Sequence, residues 1–218
     1  SLGYQIILPK HDLSARTYIS KGLLKQAKRI VDKNVALLYP EVSEATPLVG
    51  IEPSAILGFK DEFPDLASNN MKDKALHLAD NSYTIEEFFD KEIKLGNISR
   101  GSFTKRHKSI LLHGHCQQKA ISSTQHTISM LSLPENYVVD EIPSGCCGMA
   151  GSFGYEKEPY DLSMAVGELV LFPAVRASNN ETVISAPGTS CRHQIKDGTG
   201  RDAIHPIEVL YDAYFDEN

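Results

Sequence analysis

An α/β fold with mostly parallel sheets flanked by helices is what this sequence predicts, on three observations. Apolar runs of strand-like and helix-like period alternate along the chain. The turns between them are short, as βαβ connections require. The four cysteines all fall just after strand-like runs, where folds of this class build their sites.

In chain order, Tyr4–Leu8 reads as a strand. Residues 19–38 read as a helix with Leu23, Leu24, Ala27, Ile30, Val31 and Val35 on one face. Leu48–Ile51 is the next strand, and Pro53 suits the first turn of a short helix ending before Pro64. Helices follow over 71–80 and 84–95, the second with a Thr84/Glu87 capping box and Gly96 as its stop. The second half predicts a strand at Ser109–Leu112, a helix from Gln117 to Met130, a strand at Tyr137–Val139, and a helix from Asp161 to Ala177. A strand at Thr182–Ser185 and a helix from Pro206 to Tyr214 close the chain.

With 218 residues the chain is long enough for a sizeable core and one or two domains. A net charge of −6 argues against nucleic acid as the main partner, because phosphate binding needs a basic surface. No apolar run is long enough to span a membrane, and no signal-peptide pattern opens the chain. The first residue is not Met, so a fragment of a longer polypeptide is expected, and four cysteines not spread as a disulfide framework predict a reducing, cytoplasmic setting.

The two halves resemble each other, predicting a duplication with a first repeat over 1–100 and a second over 101–218. Leu13-Ser14-Ala15 stands where the second half has Cys146-Cys147-Gly148, and Ser54-Ala55 where it has Ser190-Cys191. In the first copy Arg16 and Glu52 are expected to form a salt bridge in the vacated ligand space. Acidic residues such as Asp212, Asp216 and Glu217 read as a solvated face.

The adjacent pair Cys146-Cys147 sits in the glycine-rich run from Ser144 to Gly154, Cys116 in His113-Gly-His-Cys116, and Cys191 in Gly188-Thr-Ser-Cys-Arg-His193. Neighbouring thiols crowd each other, and the usual reason to keep them is a shared metal or redox centre. Convergence of Cys116, Cys146, Cys147 and Cys191 at strand ends would suit an iron–sulfur cluster or zinc. Buried structural thiols and a redox-active dithiol are the alternatives. Gly145, Gly148 and Gly151 would let backbone approach the centre and donate to anionic sulfur. His115 and His193 are expected to line the site, whereas alternation turns His113 to the other face. His205 is expected to act at the start of the last helix.

Together the segments Leu112–Cys116, Gly145–Glu156, Ala186–Gln194 and His205–Leu210 resemble the cysteine-rich CCG domain. That domain occurs in heterodisulfide reductase, in the iron–sulfur subunits of glycolate oxidase and anaerobic glycerol-3-phosphate dehydrogenase, and in bacterial FAD/iron–sulfur fusion oxidases of the D-lactate dehydrogenase type. The chain is most similar to the C-terminal part of those fusion oxidases. The family's cysteines fall on Cys116, Cys146, Cys147 and Cys191, while its last cysteine falls on Gln194.

The resemblance implies an electron-transfer segment of an oxidoreductase acting on a small 2-hydroxy acid such as D-lactate or glycolate. It implies a 4Fe-4S type cluster or zinc at the cysteines, with FAD confined to a separate upstream domain. Upstream flavin and ferredoxin-like domains and a quinone or other electron acceptor would be the partners, at the inner face of the membrane but not spanning it. Alone, the segment would carry no hydride acceptor and would not turn over. The alternatives are a zinc-stabilised docking domain and a thiol–disulfide domain.

Overall fold

The computed structural model describes residues 2–215, so Asp216 and Glu217 lie outside the described residues. The chain is mixed α/β with parallel sheets flanked by helices, and it divides between Ile85 and Glu86 into two compact units.

In the first unit α1 (Arg16–Ser20) and α2 (Leu24–Leu38) replace the single helix that periodicity predicts. Gly22 breaks it, with φ of 69°, a left-handed value that costs glycine little. The buried face of α2 is Ala27, Val31, Val35 and Leu38, spaced at three and four residues, while Leu23 and Leu24 stay exposed. Strand β1 (Leu48–Gly50) follows, then α3 (Pro53–Ile56) with Pro53 in its first turn. A 3-10 turn over Leu57–Phe59 leads to α4 (Glu62–Leu66). The helix that opens at Pro53 ends before Pro64, as expected, and Pro64 lies in the first turn of the separate α4, where its missing N–H has no helical partner to lose. Helix α5 (Lys72–Asp80) leads to β2 (Ser82–Thr84), which pairs parallel with β1 from Leu48↔Ser82.

Tyr4–Leu8 is not a strand. Ile6 and Leu8 are 81% and 91% exposed, so the run finds neither burial nor a ladder, the two gains that make a strand form.

Helix α6 (Ile85–Lys94) spans the junction, and Gly96 stops it at φ 78°. The second unit holds β3 (Lys108–Leu112), β4 (Tyr137–Glu141), β5 (Val183–Ser185) and β6 (Ala203–Ile204) in the order β4-β3-β5-β6, all parallel. Leu112 pairs with both Glu141 and Ser185, so β3, β4 and β5 end at one level. The direction of strand addition reverses between β3 and β5, and α/β sheets open a crevice at the carboxyl ends beside such a reversal.

Helices α7 (Cys116–Ile121) and α8 (Gln125–Leu131) replace one expected helix. The break falls at Ser122-Ser123-Thr124, where Ser123 Oγ accepts from the Gln125 N–H and competes with a continued helix. Helices α9 (Tyr160–Leu169) and α10 (Leu171–Ala177) likewise replace one. Pro173 explains it: a continuous helix would need its absent N–H to reach the Leu169 carbonyl, and Val170 leaves helical geometry. Helix α11 (Thr189–Thr199) and the two-residue β6 lie outside the elements that periodicity predicts. Helix α12 (Pro206–Phe215) starts at its proline, and His205 Nδ1 accepts from the Ile207 N–H at 3.1 Å, as its position predicts.

The core around the site contains Ile142, Met149, Leu171, Phe172, Val175, Ile184, Ala186 and Ile195 together with Cys147 and Cys191. The Phe172 ring fills the space opposite Gly167 and Gly198, where any Cβ would strike it.

Candidate metal centre

Three loops leave the level ends of β3, β4 and β5 and carry the chemistry. From β3 come His113, His115 and Cys116, from β4 the Cys-Cys-Gly turn, and from β5 the start of α11 with Cys191.

The structure brings the four sulfurs together. Cys116 interacts with Cys146, Cys146 with Cys147, Cys147 with Cys191, and Cys191 with His113. Ligand atoms of His113, Cys147 and Cys191 all lie within 4.8 Å of one another, and the three residues are buried. This group could hold a metal ion. Cys146 is half-buried and Cys116 exposed, so the chain of thiols runs from core to surface.

The thiols perturb one another in opposite directions. Cys146 is held far below the ordinary thiol range because Cys116 and Cys147 donate to it, against the opposing effect of burial, with help from the Gly148 and Ala150 amides. Cys191 is lowered by its interaction with Cys147, against burial, and by His113. Its place in the first turn of α11, an eleven-residue helix, also favours a thiolate. Cys116 and Cys147 are pushed up, chiefly because each donates to Cys146, and burial and the Cys191 charge add to this. Four adjacent sulfurs cannot all ionise against one another in a low-dielectric site. A bound cation removes that conflict, and this donor set fits one.

The Cys-Cys-Gly turn has a backbone that only its glycine suits. Gly148 adopts φ +102°, and a Cβ there would run into the Ser163 carbonyl. Its N–H donates to Cys146 Sγ at 3.3 Å. Gly151 is also left-handed, at φ 71°, while a Cβ on Gly145 would meet open space. Gly188 leaves room for both the His115 ring and Cys191 Sγ.

Gln194 is 1% exposed. Its Nε2 donates to the Ser163 carbonyl at 3.0 Å and to Ser163 Oγ at 2.9 Å, and that hydroxyl donates to the Gly148 carbonyl at 3.0 Å. The residue therefore ties α11 and α9 to the Cys-Cys-Gly turn.

The histidines fall differently from expectation. His113 does not face away from the sulfurs. The alternation that would turn it outward ends with β3, and Leu112 and His113 are buried in succession. The His113 N–H donates to the Ser185 carbonyl at 2.8 Å, and its Nδ1 lies 2.8 Å from Ser144 Oγ. His115 caps α7, its Nδ1 accepting from the Gln117 N–H at 3.2 Å, with its ring against Gly188. His193 is exposed, its Nδ1 2.8 Å from the Tyr155 hydroxyl, and lies outside the buried group. Sequence reasoning missed Ser144 altogether; no spacing rule marks a serine two residues before a cysteine pair.

In the first unit Arg16 pairs with Glu62 rather than with Glu52. Ser54 Oγ donates to Glu52 Oε1 at 2.9 Å, so the local hydroxyl rather than the guanidinium takes that carboxylate.

Similar proteins carry names consistent with redox chemistry. The chain is 25% identical over 210 residues to D-2-hydroxyglutarate dehydrogenase of Pantoea ananatis, a stretch covering 96% of this chain and 20% of the relative. It is 24% identical to the Escherichia coli enzyme of that name, again over 20% of its length. It is also 24% identical to one of the subunits of the anaerobic glycerol-3-phosphate dehydrogenase of Escherichia coli, covering 95% of this chain and 50% of that relative. The chain thus spans from about a fifth to half of the relatives it matches. No family model and no solved structure matches it. Among the described residues no helix is long and apolar enough to cross a membrane.

Proposed function

We propose that this chain is the metal-bearing electron-transfer segment of a larger flavin and iron–sulfur oxidoreductase of the CCG-domain type, acting on a small 2-hydroxy acid. What carries this is the meeting of four cysteines from three separate loops at the carboxyl ends of parallel strands. The names of the relatives support the substrate class, since D-2-hydroxyglutarate is itself a 2-hydroxy acid. D-lactate and glycolate belong to the same class.

Cys116, Cys146, Cys147 and Cys191 would hold the centre. An iron–sulfur cluster there would supply one-electron transfer between upstream flavin and ferredoxin-like domains and a quinone or similar acceptor. The chain's own residues keep the sulfurs converged. The Gly148 N–H donates to Cys146, the Gln194–Ser163 pair fixes the turn, and the core around Cys147 and Cys191 excludes water.

The duplicated plan belongs to the same reading. Ala15, matched to Gly148, also has a left-handed backbone, at φ 62°. Each match is followed by a helix pair, a strand, a proline-bearing turn and a helix, α1-α2-β1-α3 in one unit and α9-α10-β5-α11 in the other; the first unit then adds α4 and α5 before the parallel partner strand β2, whereas β6 follows α11 directly. Only the second copy keeps the sulfurs.

The test is Cys147→Ser in the full-length enzyme, with metal content and acceptor reduction measured. Loss of both is expected, and unchanged values would remove the proposal. One observation favours a second reading, a zinc-stabilised docking module. His113, Cys147 and Cys191 stand within 4.8 Å of one another, a spacing that bonds of about 2.0–2.3 Å to a single ion would close. A visible absorption band in oxygen-free protein favours the cluster; colourless protein with stoichiometric zinc favours docking.

A further inference from the structure

We propose that His113 is a ligand of this metal centre, replacing the sulfur missing at Gln194, and that Ser144 is the residue that positions it. The inference rests on the metal-centre reading above and adds a nitrogen donor to it.

Four observations converge. First, His113 is 1% exposed, and an imidazole withdrawn from water needs a partner for each ring nitrogen. Ser144 Oγ lies 2.8 Å from Nδ1, and a ring nitrogen of His113 lies within 4.8 Å of the Cys147 and Cys191 sulfurs. Second, His113 is fixed from its backbone outward. Its N–H donates to the Ser185 carbonyl, so it continues the β3–β5 ladder one step past the strand and moves with the sheet.

Third, Ser144 is itself immobilised. It is 5% exposed, its N–H donates to the Ile142 carbonyl at 2.7 Å, and its carbonyl accepts from Lys119 Nζ at 2.5 Å. Lys119 also reaches Glu141 Oε1 at 3.7 Å, and Thr124 Oγ1 donates to Glu141 Oε2 at 3.0 Å. Gly114 leaves room for this group, since a Cβ there would strike Thr124 and Lys119. A side chain held this way can set the tautomer and orientation of a ligating histidine, the task that carboxylates and carbonyls perform around other metal sites.

Fourth, Gln194 points elsewhere. Its Nε2 is committed to Ser163, so the position where the family pattern has a cysteine supplies a brace and not a donor. His115 has a different duty, since its Nδ1 caps α7.

The donor set at the buried end is therefore two cysteine sulfurs and an imidazole, with Cys146 and Cys116 beyond. Replacing a thiolate by a neutral imidazole lowers the net negative charge of the centre. Where histidine replaces cysteine on iron, that change raises the reduction potential.

The experiment uses the full-length polypeptide purified without oxygen, in wild-type form and as His113→Ala, His115→Ala and Ser144→Ala. Elemental analysis identifies the metal. Nitrogen coupling in pulsed paramagnetic resonance, for iron, or imidazole scattering at the absorption edge, for zinc, reports the donor. A nitrogen signal is expected in wild type and in His115→Ala. It should be absent from His113→Ala, and Ser144→Ala should keep its metal with an altered coupling. Should His113→Ala fail to fold, the wild-type spectrum and Ser144→Ala still decide. Metal present with sulfur donors only, or a nitrogen signal that disappears with His115, overturns the proposal and leaves the metal-centre reading standing. Wild-type protein without metal overturns both.

Discussion

Gln194 and Ser163 form a closed pair inside the second unit: the amide donates to both the carbonyl and the hydroxyl of the serine, which passes the bond on to the Gly148 carbonyl. A side chain standing where a sulfur ligand is expected thus holds the sulfur-bearing turn in place. Replacing Gln194 by Leu leaves the Ser163 oxygens without this donor in a dry site. A loss of about 1–3 kcal/mol is expected from the denaturant midpoint of the purified protein. Metal retention should fall with it, because the turn is released from α9 and α11.

Gly148 and Gly145 separate backbone demand from mere proximity to the cysteines. Gly148→Ala places a Cβ against the Ser163 carbonyl at a left-handed φ, and strain of that kind alone costs about 1–3 kcal/mol. Gly145→Ala meets open space and should change stability by less than about 0.5 kcal/mol. Paired thermal melts distinguish them, and equal losses would show that the turn does not impose its backbone as described.

Asp90 gives the acid limb of stability. Burial pushes its carboxyl up, but hydrogen bonds from Lys94, Ser129 and His126 outweigh burial and hold it below the ordinary carboxylate value. With the folded value depressed, its contribution is complete above the unfolded carboxylate pKa of about 3.9 and is lost as pH falls through the folded value. Asp90→Asn should therefore lower stability at neutral pH and flatten its decline below about pH 4. Urea midpoints followed from neutral to acid pH check this, and parallel curves for the two proteins would count against it.

Phe172 and Gly198 test packing behind the site. Gly198→Ala drives a methyl into the Phe172 ring, and overpacking of this kind costs about 1–3 kcal/mol. The double variant with Phe172→Leu should recover part of the loss, since the clash and its relief share one space. A strictly additive double variant would mean that the ring does not occupy that gap.

Periodicity reveals the elements that both pair and bury an apolar face. Strands β3, β4 and β5 stand out for this reason, as does the buried stripe of α2. Tyr4–Leu8 carries the same local pattern, yet a run of that kind becomes a strand only with a neighbour, which no local window contains. Pro173 accounts for the break between α9 and α10, but a helical pattern running through it outweighs a single residue. At the centre, the cysteines are readable because each follows a strand. The histidines are not, because periodicity does not mark α11. Two steps along a helix turn a side chain by about 200°, which carries His193 away from the face of Cys191. His113 departs from expectation for the converse reason, since strand alternation does not extend one residue past the strand.

The level ends of β3, β4 and β5 also set the order of events in the protein's making. Cys116, the Cys146-Cys147 pair and Cys191 are brought together by strand pairing and lie far apart in a nascent chain, so no pocket for an ion exists until β5 has docked beside β3. An ion held there would therefore have to enter a folded scaffold, and Cys116 is the exposed member of the four cysteines.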